Sequence, residues 1–226
     1  YEGQVWFNET AGELRIRKST LRSAWASGGN LNTARDNMRG AGTQTAAIGF
    51  GGGGPNAQTE QYNGSSWTEV NDLNTARNAL TGIGTNTSAL ATGGQASPGR
   101  LTVNESWNGT SWTEVNDLNQ AKTGLGGAGA DSTSGLVFGG DTPGNTANTE
   151  SWDGSSWTEV NNLNTARQYL GGVGIQTAAL ASGGYTTTNV AITEQWDGTS
   201  WTEVADLSTA RHAFGGAGTS TLALNF

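Results

Sequence analysis

Residues 154–167 read GSSWTEVNNLNTAR, and variants of this stretch run the length of the 226-residue chain. The same frame stands at Ser66–Arg77, Ser111–Lys122 and Ser200–Arg211, with a degraded copy at Ala24–Arg35. Its tryptophans, Trp25, Trp67, Trp112, Trp157 and Trp201, are spaced 42, 45, 45 and 44 residues apart. A period of about 44 residues marks a repeat architecture, in which one supersecondary unit is stacked on the next.

Each repeat reads as four short strands. After the basic residue comes a glycine-rich segment such as Gln168–Gly174, then a small apolar run, Thr177–Ser182, that ends in Gly183-Gly184. A variable loop follows, and then Thr193–Trp196, the turn Asp197-Gly198-Thr199, and Ser200–Val204. Asn-Gly or Asp-Gly between strand-forming runs is the strongest short hairpin signal, because both residues tolerate positive φ. It recurs at Asn63-Gly64, Asn108-Gly109, Asp153-Gly154 and Asp197-Gly198. An aromatic pair flanks each turn (Tyr62/Trp67, Trp107/Trp112, Trp152/Trp157, Trp196/Trp201) and is expected to pack across the hairpin or into the next blade. The glycine and alanine of strands one and two suit sheets stacked around an axis, where space is short.

Inner strand pairs follow Arg35, Arg77, Lys122, Arg167 and Arg211, giving five, whereas outer hairpins of this type number four. The expected fold is therefore all-β: a single domain over residues 1–226, a five-bladed β-propeller of four-stranded blades. N-terminal outer strands are expected to close the ring by pairing with the C-terminal inner strands, which removes exposed edges. Residues 1–24 form an atypical closing or adapter segment, with strands expected at Gln4–Phe7 and Glu13–Arg17, and the missing initiator Met hints at a fragment.

Composition narrows function. Charged residues make up only 13%, so the surface is built largely from Ser, Thr, Asn and Gly. Residues 1–39 hold six Arg or Lys against four acids, including Arg15, Arg17, Lys18 and Arg22; the rest holds five against fifteen. Lys and Arg neutralise phosphates, so an acidic body argues against a nucleic-acid partner. No run approaches the roughly 20 apolar residues of a membrane span, no secretory signal opens the chain, and membrane insertion is not expected. With no cysteine there is neither a disulfide nor a thiolate zinc site.

The diglycine after an apolar strand (Gly93-Gly94, Gly139-Gly140, Gly183-Gly184), an aromatic shortly before a Trp, and an Arg about ten residues beyond it resemble the kelch repeat. The resemblance runs from about Trp25 to the end. It departs from kelch in period, about 44 rather than roughly 50, and in blade number, where kelch rings commonly have six or seven. GAGTQTAA, NGSSWTEV and the opening GQVWFNETAGELRIR also resemble kelch-like repeats on tail fibre or virion appendage proteins of marine bacteriophages.

The repeated cations Arg35, Arg77, Lys122, Arg167 and Arg211 admit two readings. Five cations around a channel mouth would bind an anion or a carboxylated glycan. Alternatively they pair with the acids that open strand three, Glu60, Glu105, Glu150 and Glu194, tying blades together; a group present in every blade favours this structural role. The second acid set, Glu69, Glu114, Glu159 and Glu203, is expected on a solvated outer strand. Asp153-Gly154-Ser155-Ser156-Trp157 misses the sialidase Asp-box frame by one residue and reads as turn chemistry. His212 is the only imidazole, Gly51–Gly54 lacks the Lys-Ser/Thr of a phosphate loop, and no metal, cofactor or catalytic set is expected.

Loops between strands two and three (Gly52–Thr59, Gln95–Val103, Asp141–Asn148, Tyr185–Ala191) vary between repeats and share a face with the LNTAR connectors. Asn56, Arg100, Asn145 and Tyr185 are the candidate ligand-binding residues there. The expectation is a non-enzymatic binding or structural module, virion-borne or extracellular, that forms part of a larger oligomeric appendage and recognises cell-surface glycans. A kelch-type scaffold binding a host or virion protein is the alternative, and a glycoside hydrolase the remote one.

Overall fold

The computed structural model describes residues 27–226 and, of the segment before them, the backbone of two strands. Those two, β1 (Val5–Asn8) and β2 (Glu13–Ile16), pair antiparallel. They match the two strands expected there; Trp25, the basic residues of the segment and its closing role lie outside the described residues.

Every described element is a strand or a loop. The first sheet holds β3 (Arg39–Thr43), β4 (Ala46–Phe50), β5 (Thr59–Tyr62) and β6 (Trp67–Glu69). The second begins with β7 (Thr81–Gly84) and β8 (Ala89–Thr92), inserts a two-residue ladder of β9 (Gln95–Ala96) with β10 (Gly99–Arg100), and finishes with β11 (Asn104–Trp107) and β12 (Trp112–Val115). The third comprises β13 (Gly126–Asp131), β14 (Ser134–Phe138), β15 (Thr149–Trp152) and β16 (Trp157–Val160). The fourth comprises β17 (Gly171–Ile175), β18 (Ala178–Ser182), β19 (Thr193–Trp196) and β20 (Trp201–Val204). Each is an antiparallel meander, and the two-stranded β21 (Gly216–Gly218) and β22 (Ala223–Asn225) follow. Among the described residues this is a propeller-like fold of four full blades plus an inner pair.

The hairpin turns form because one side-chain oxygen replaces a backbone acceptor. Asp153 Oδ1 accepts the N–H groups of Ser155 and Ser156, both at 2.8 Å. Asn63 Oδ1 does the same for Ser65 and Ser66 at 3.0 Å. Aspartate and asparagine interchange here because only the acceptor is used. The turn sets the register that places Trp107 opposite Trp112, with ring centroids 5.2 Å apart. Trp152/Trp157 and Trp196/Trp201 repeat the pair at 5.2 and 5.3 Å.

The core lies between blades. Trp112 of the second sheet meets Phe50 of the first edge-on at 4.8 Å, and its Nε1 donates to Thr59 Oγ1 at 3.1 Å. Trp201 repeats both contacts with Phe138 and Thr149. Each such ring buries on the order of 200 Å², about 5 kcal/mol of gross burial.

β3, β7, β13, β17 and β21 surround one central channel. They begin four to five residues after the basic residue, later than the sequence suggests. The connector first passes through a left-handed residue, Asn37, Ala79, Gly124, Tyr169 or Ala213, with φ between 49° and 63°. The next blade's amide binds each carbonyl in turn: Ala79 N to Asn37 O, Gly124 N to Ala79 O, Tyr169 N to Gly124 O, and Ala213 N to Tyr169 O. Near the axis backbones nearly touch, and a Cβ on Gly172 would stand 2.5 Å from Gly127 N.

The inner pair β21–β22 differs from its equivalents. Leu136 and Phe138 are buried, whereas Leu224 and Phe226 are 53% and 54% exposed. A complete fifth blade is therefore not present among the described residues.

The close approach at the axis gives a direct test. Gly172→Ala should cost about 1–3 kcal/mol, because backbone on both sides cannot retreat. Gly99→Ala, where a Cβ meets nothing within 4 Å, should be within about 0.5 kcal/mol of wild type. Urea denaturation of both variants checks this.

Candidate functional site

The repeated cation is built into each blade by the connector before it. Arg77 and Arg167 are fully buried, and each ion-pairs with the acid of the third strand, Glu105 and Glu194 respectively. Arg35 Nη1 lies 2.7 Å from Glu60 Oε1, and Lys122 Nζ 2.8 Å from Glu150 Oε1. The remaining carboxylate oxygen is taken by the connector's asparagine. Asn74 donates to Glu105 Oε2 through its backbone N at 2.7 Å and through Nδ2 at 2.8 Å. Asn32, Asn119 and Asn164 repeat this on Glu60, Glu150 and Glu194.

Burial drives the pKa values of Arg77 and Lys122 below their ordinary ranges, and the facing carboxylates only partly offset it. For Glu60, burial works upward, but the Asn32 N–H and Arg35 outweigh it and hold the carboxyl below its ordinary value.

The backbone of the same residue binds the previous blade. Gly52 N donates to Arg77 O, Gly94 N to Lys122 O, Gly140 N to Arg167 O and Gly184 N to Arg211 O. The glycine before each of these has φ between 57° and 67°, and a Cβ on it would come within 2.6–2.8 Å of that carbonyl. Hence the diglycine: the first admits the carbonyl and the second bonds it. None of the five cations lines the channel, and Arg35, Arg77, Lys122 and Arg167 are instead buried against their acids.

Other residues of VNDLNTAR, 70–77, serve the same junction. Asn71 Nδ2 reaches Thr110 O of the next blade's turn at 2.9 Å, and Asp72 Oδ1 accepts Thr59 N at 3.0 Å. These asparagines were not singled out from sequence. Their recurrence at one place in most connectors, Asn32, Asn74, Asn119 and Asn164 above all, was the available signal.

The strand-two-to-three loops lie on the connector face, as isolated bridges of Asn56 with Arg77, Asn78 with Gln95, Thr123 with Asp141 and Gln168 with Tyr185 establish. Arg100 ion-pairs with Asp141 of the next blade's loop. Burial acts upward on Asp141, but Arg100 and the Gly144 N–H bring its carboxyl below the usual range. Asn145 Nδ2 donates to Thr186 O of the following loop at 2.6 Å. Asn56 bonds within its own loop, accepting Gln58 N at 2.6 Å. Tyr185 lies 5.6 Å from His212, and His212 lies 6.2 Å from Tyr169. The candidates thus share one face without converging on a single pocket, and three of them join a loop to the next blade.

Glu69, Glu114, Glu159 and Glu203 are exposed on the outermost strands, each opposite a buried acid of strand three. Among the described residues no three His, Asp or Glu side chains come together as a metal site. Compared with known proteins, the chain matches no family model and no curated protein.

Arg77→Met should lose about 3–5 kcal/mol, because it strands Glu105 in a buried site; chemical denaturation measures it. Acid should act on the turns. Asp153 is held at about 2 by the N–H groups of Ser156 and Ser155, against a usual 3.8. Its contribution to stability is complete above pH 3.8 and is lost as pH falls through about 2. Asp197 is depressed by the corresponding bonds. The double variant Asp153→Asn/Asp197→Asn should match wild type at pH 7 and lose less melting temperature between pH 4 and 2, with Asn63 and Asn108 as precedent.

Proposed function

We propose that this chain is a non-enzymatic binding module: a kelch-like five-bladed propeller on a virion appendage that recognises cell-surface glycans through its connector face. The observation carrying the reading is the division of that face. An inner ring of connectors is nearly identical in every blade, while the rim loops differ in sequence and are braced against one another by Arg100–Asp141 and Asn145–Thr186. Variable side chains on braced loops suit recognition, because little ordering cost falls on the ligand. Amides, hydroxyls and aromatic rings with little charge suit neutral sugar faces and hydroxyls.

Five-bladed closure belongs to the same proposal. The connector ending at Arg35 grips the first blade as its counterparts do, with Asn32 Nδ2 donating to Trp67 O at 3.1 Å just as Asn74 donates to Trp112 O. In every other blade such a connector leaves a fourth strand. The β21–β22 pair lacks outer partners, and N-terminal outer strands would cover Leu222 and Leu224. The acids support a non-catalytic reading, since each buried one is already bonded by a cation and an asparagine.

A glycan array with the full chain tests the function. Specific sugars should bind, and Tyr185→Ala or Arg100→Ala should weaken binding at least fivefold while melting within a few degrees of wild type. Absence of any sugar signal, with a host or virion protein co-purifying instead, would remove the glycan reading in favour of a protein scaffold.

A further inference from the structure

The central channel encloses a cavity of about 390 Å³ at its connector end. Its walls are glycine, threonine and apolar side chains, Met38 and Phe214 among them, and Arg39 is the one charged residue that lines it. At the corresponding position the other blades carry Thr81, Gly126, Gly171 and Gly215, so the guanidinium breaks the fivefold pattern. It is half-buried, and its hydrogen bond goes to a neutral acceptor, Met38 O, at 2.9 Å. No acid pairs with it among the described residues, whereas Arg35, Arg77, Lys122 and Arg167 each have one. A cation brought out of water without a counter-charge costs stability, and burial accordingly depresses its pKa. That cost falls on a position where four blades manage with Thr or Gly.

We propose that Arg39 is the anchor of a carboxylate-binding site in the channel, and that its ligand is the carboxylate of an acidic sugar. The choice of carboxylate follows from the guanidinium, whose planar fork takes two carboxylate oxygens side by side. One cation in the channel of a chain of net charge −8 matches a single negative charge and disfavours polyanions. The choice of a sugar rests on the glycan-binding reading above, and the site has the means to hold one. The five innermost strands have no sheet partner on the channel side, so their free backbone N–H and C=O groups face it and can meet hydroxyls. The volume falls within the range of small-molecule sites. Tyr169, whose backbone belongs to the hydrogen-bonded belt between blades, sets its ring against His212.

Calorimetric titration of the full chain with glucuronate, glucose and inorganic phosphate tests this, using wild type and Arg39→Thr. The variant copies the second blade's own residue and should melt at or above the wild-type temperature. Glucuronate should bind wild type, bind Arg39→Thr at least tenfold more weakly, and shift the amide NMR signals of Gly127 and Gly172. Equal affinity for both proteins, tighter binding of phosphate, or no glucuronate binding would overturn the channel site. If neutral glycans still bind the rim in that last case, the glycan reading stands alone; if no saccharide binds at all, both fall.

Discussion

The junction between blades depends on a carbonyl and a cation belonging to one residue. Arg77 presents its carbonyl to Gly52 of the blade behind and its guanidinium to Glu105 of the blade ahead. A buried ion pair is weak evidence of net stability, because desolvation consumes most of its attraction. What it supplies here is position. A charge at this depth has only one satisfied arrangement, so the connector cannot slide by one residue, and the inner strand that follows starts where the axis requires. Close glycine packing at the axis tolerates no such slip, and the diglycine and the buried pair are therefore halves of one constraint.

Exceptions among the repeats show the same constraint being met by other means. Lys122 lacks the fork with which Arg77 also reaches the carbonyls of Thr75 and Ala91. Its ammonium instead bonds Asn148 Oδ1, at a position held by Gln58, Val103 and Ile192 elsewhere. At another junction Asn104 replaces the threonine that receives a tryptophan N–H, and Trp157 Nε1 is left buried without an acceptor. In the last connector, serine, at Ser208, replaces the asparagine that elsewhere grips the acid. There Arg211 keeps its backbone bonds but has no carboxylate among the described residues.

Much of the fold was legible because the repeat exposes it several times. The Asn/Asp-Gly turns, the paired aromatics and the meander order follow from local chemistry that tolerates no other reading in four copies. Strand starts were less legible: the left-handed residue before each inner strand is Asn, Ala, Gly, Tyr or Ala, and no residue type announces it. A tertiary requirement, the hydrogen-bonded belt at the channel mouth, overrides local preference there. The candidate rim residues were placed on the correct face by strand alternation, yet their bonding to neighbouring loops was invisible, since it joins residues about 40 apart.

Arg39 was overlooked for an instructive reason. Residues repeated in every blade are what every blade needs, and that is scaffold: none of the recurrent Arg and Lys lines the channel. In a near-symmetric ring, a ligand without fivefold symmetry can be distinguished only by groups that occur once. The informative positions are those where one repeat departs from the others at a cost in stability and without a compensating partner. Threonine becomes asparagine at 104 and arginine becomes lysine at 122 within buried junctions, where neighbours adjust or a bond is simply lost. An arginine at 39 lines the channel cavity instead, with a neutral carbonyl as its hydrogen-bond partner.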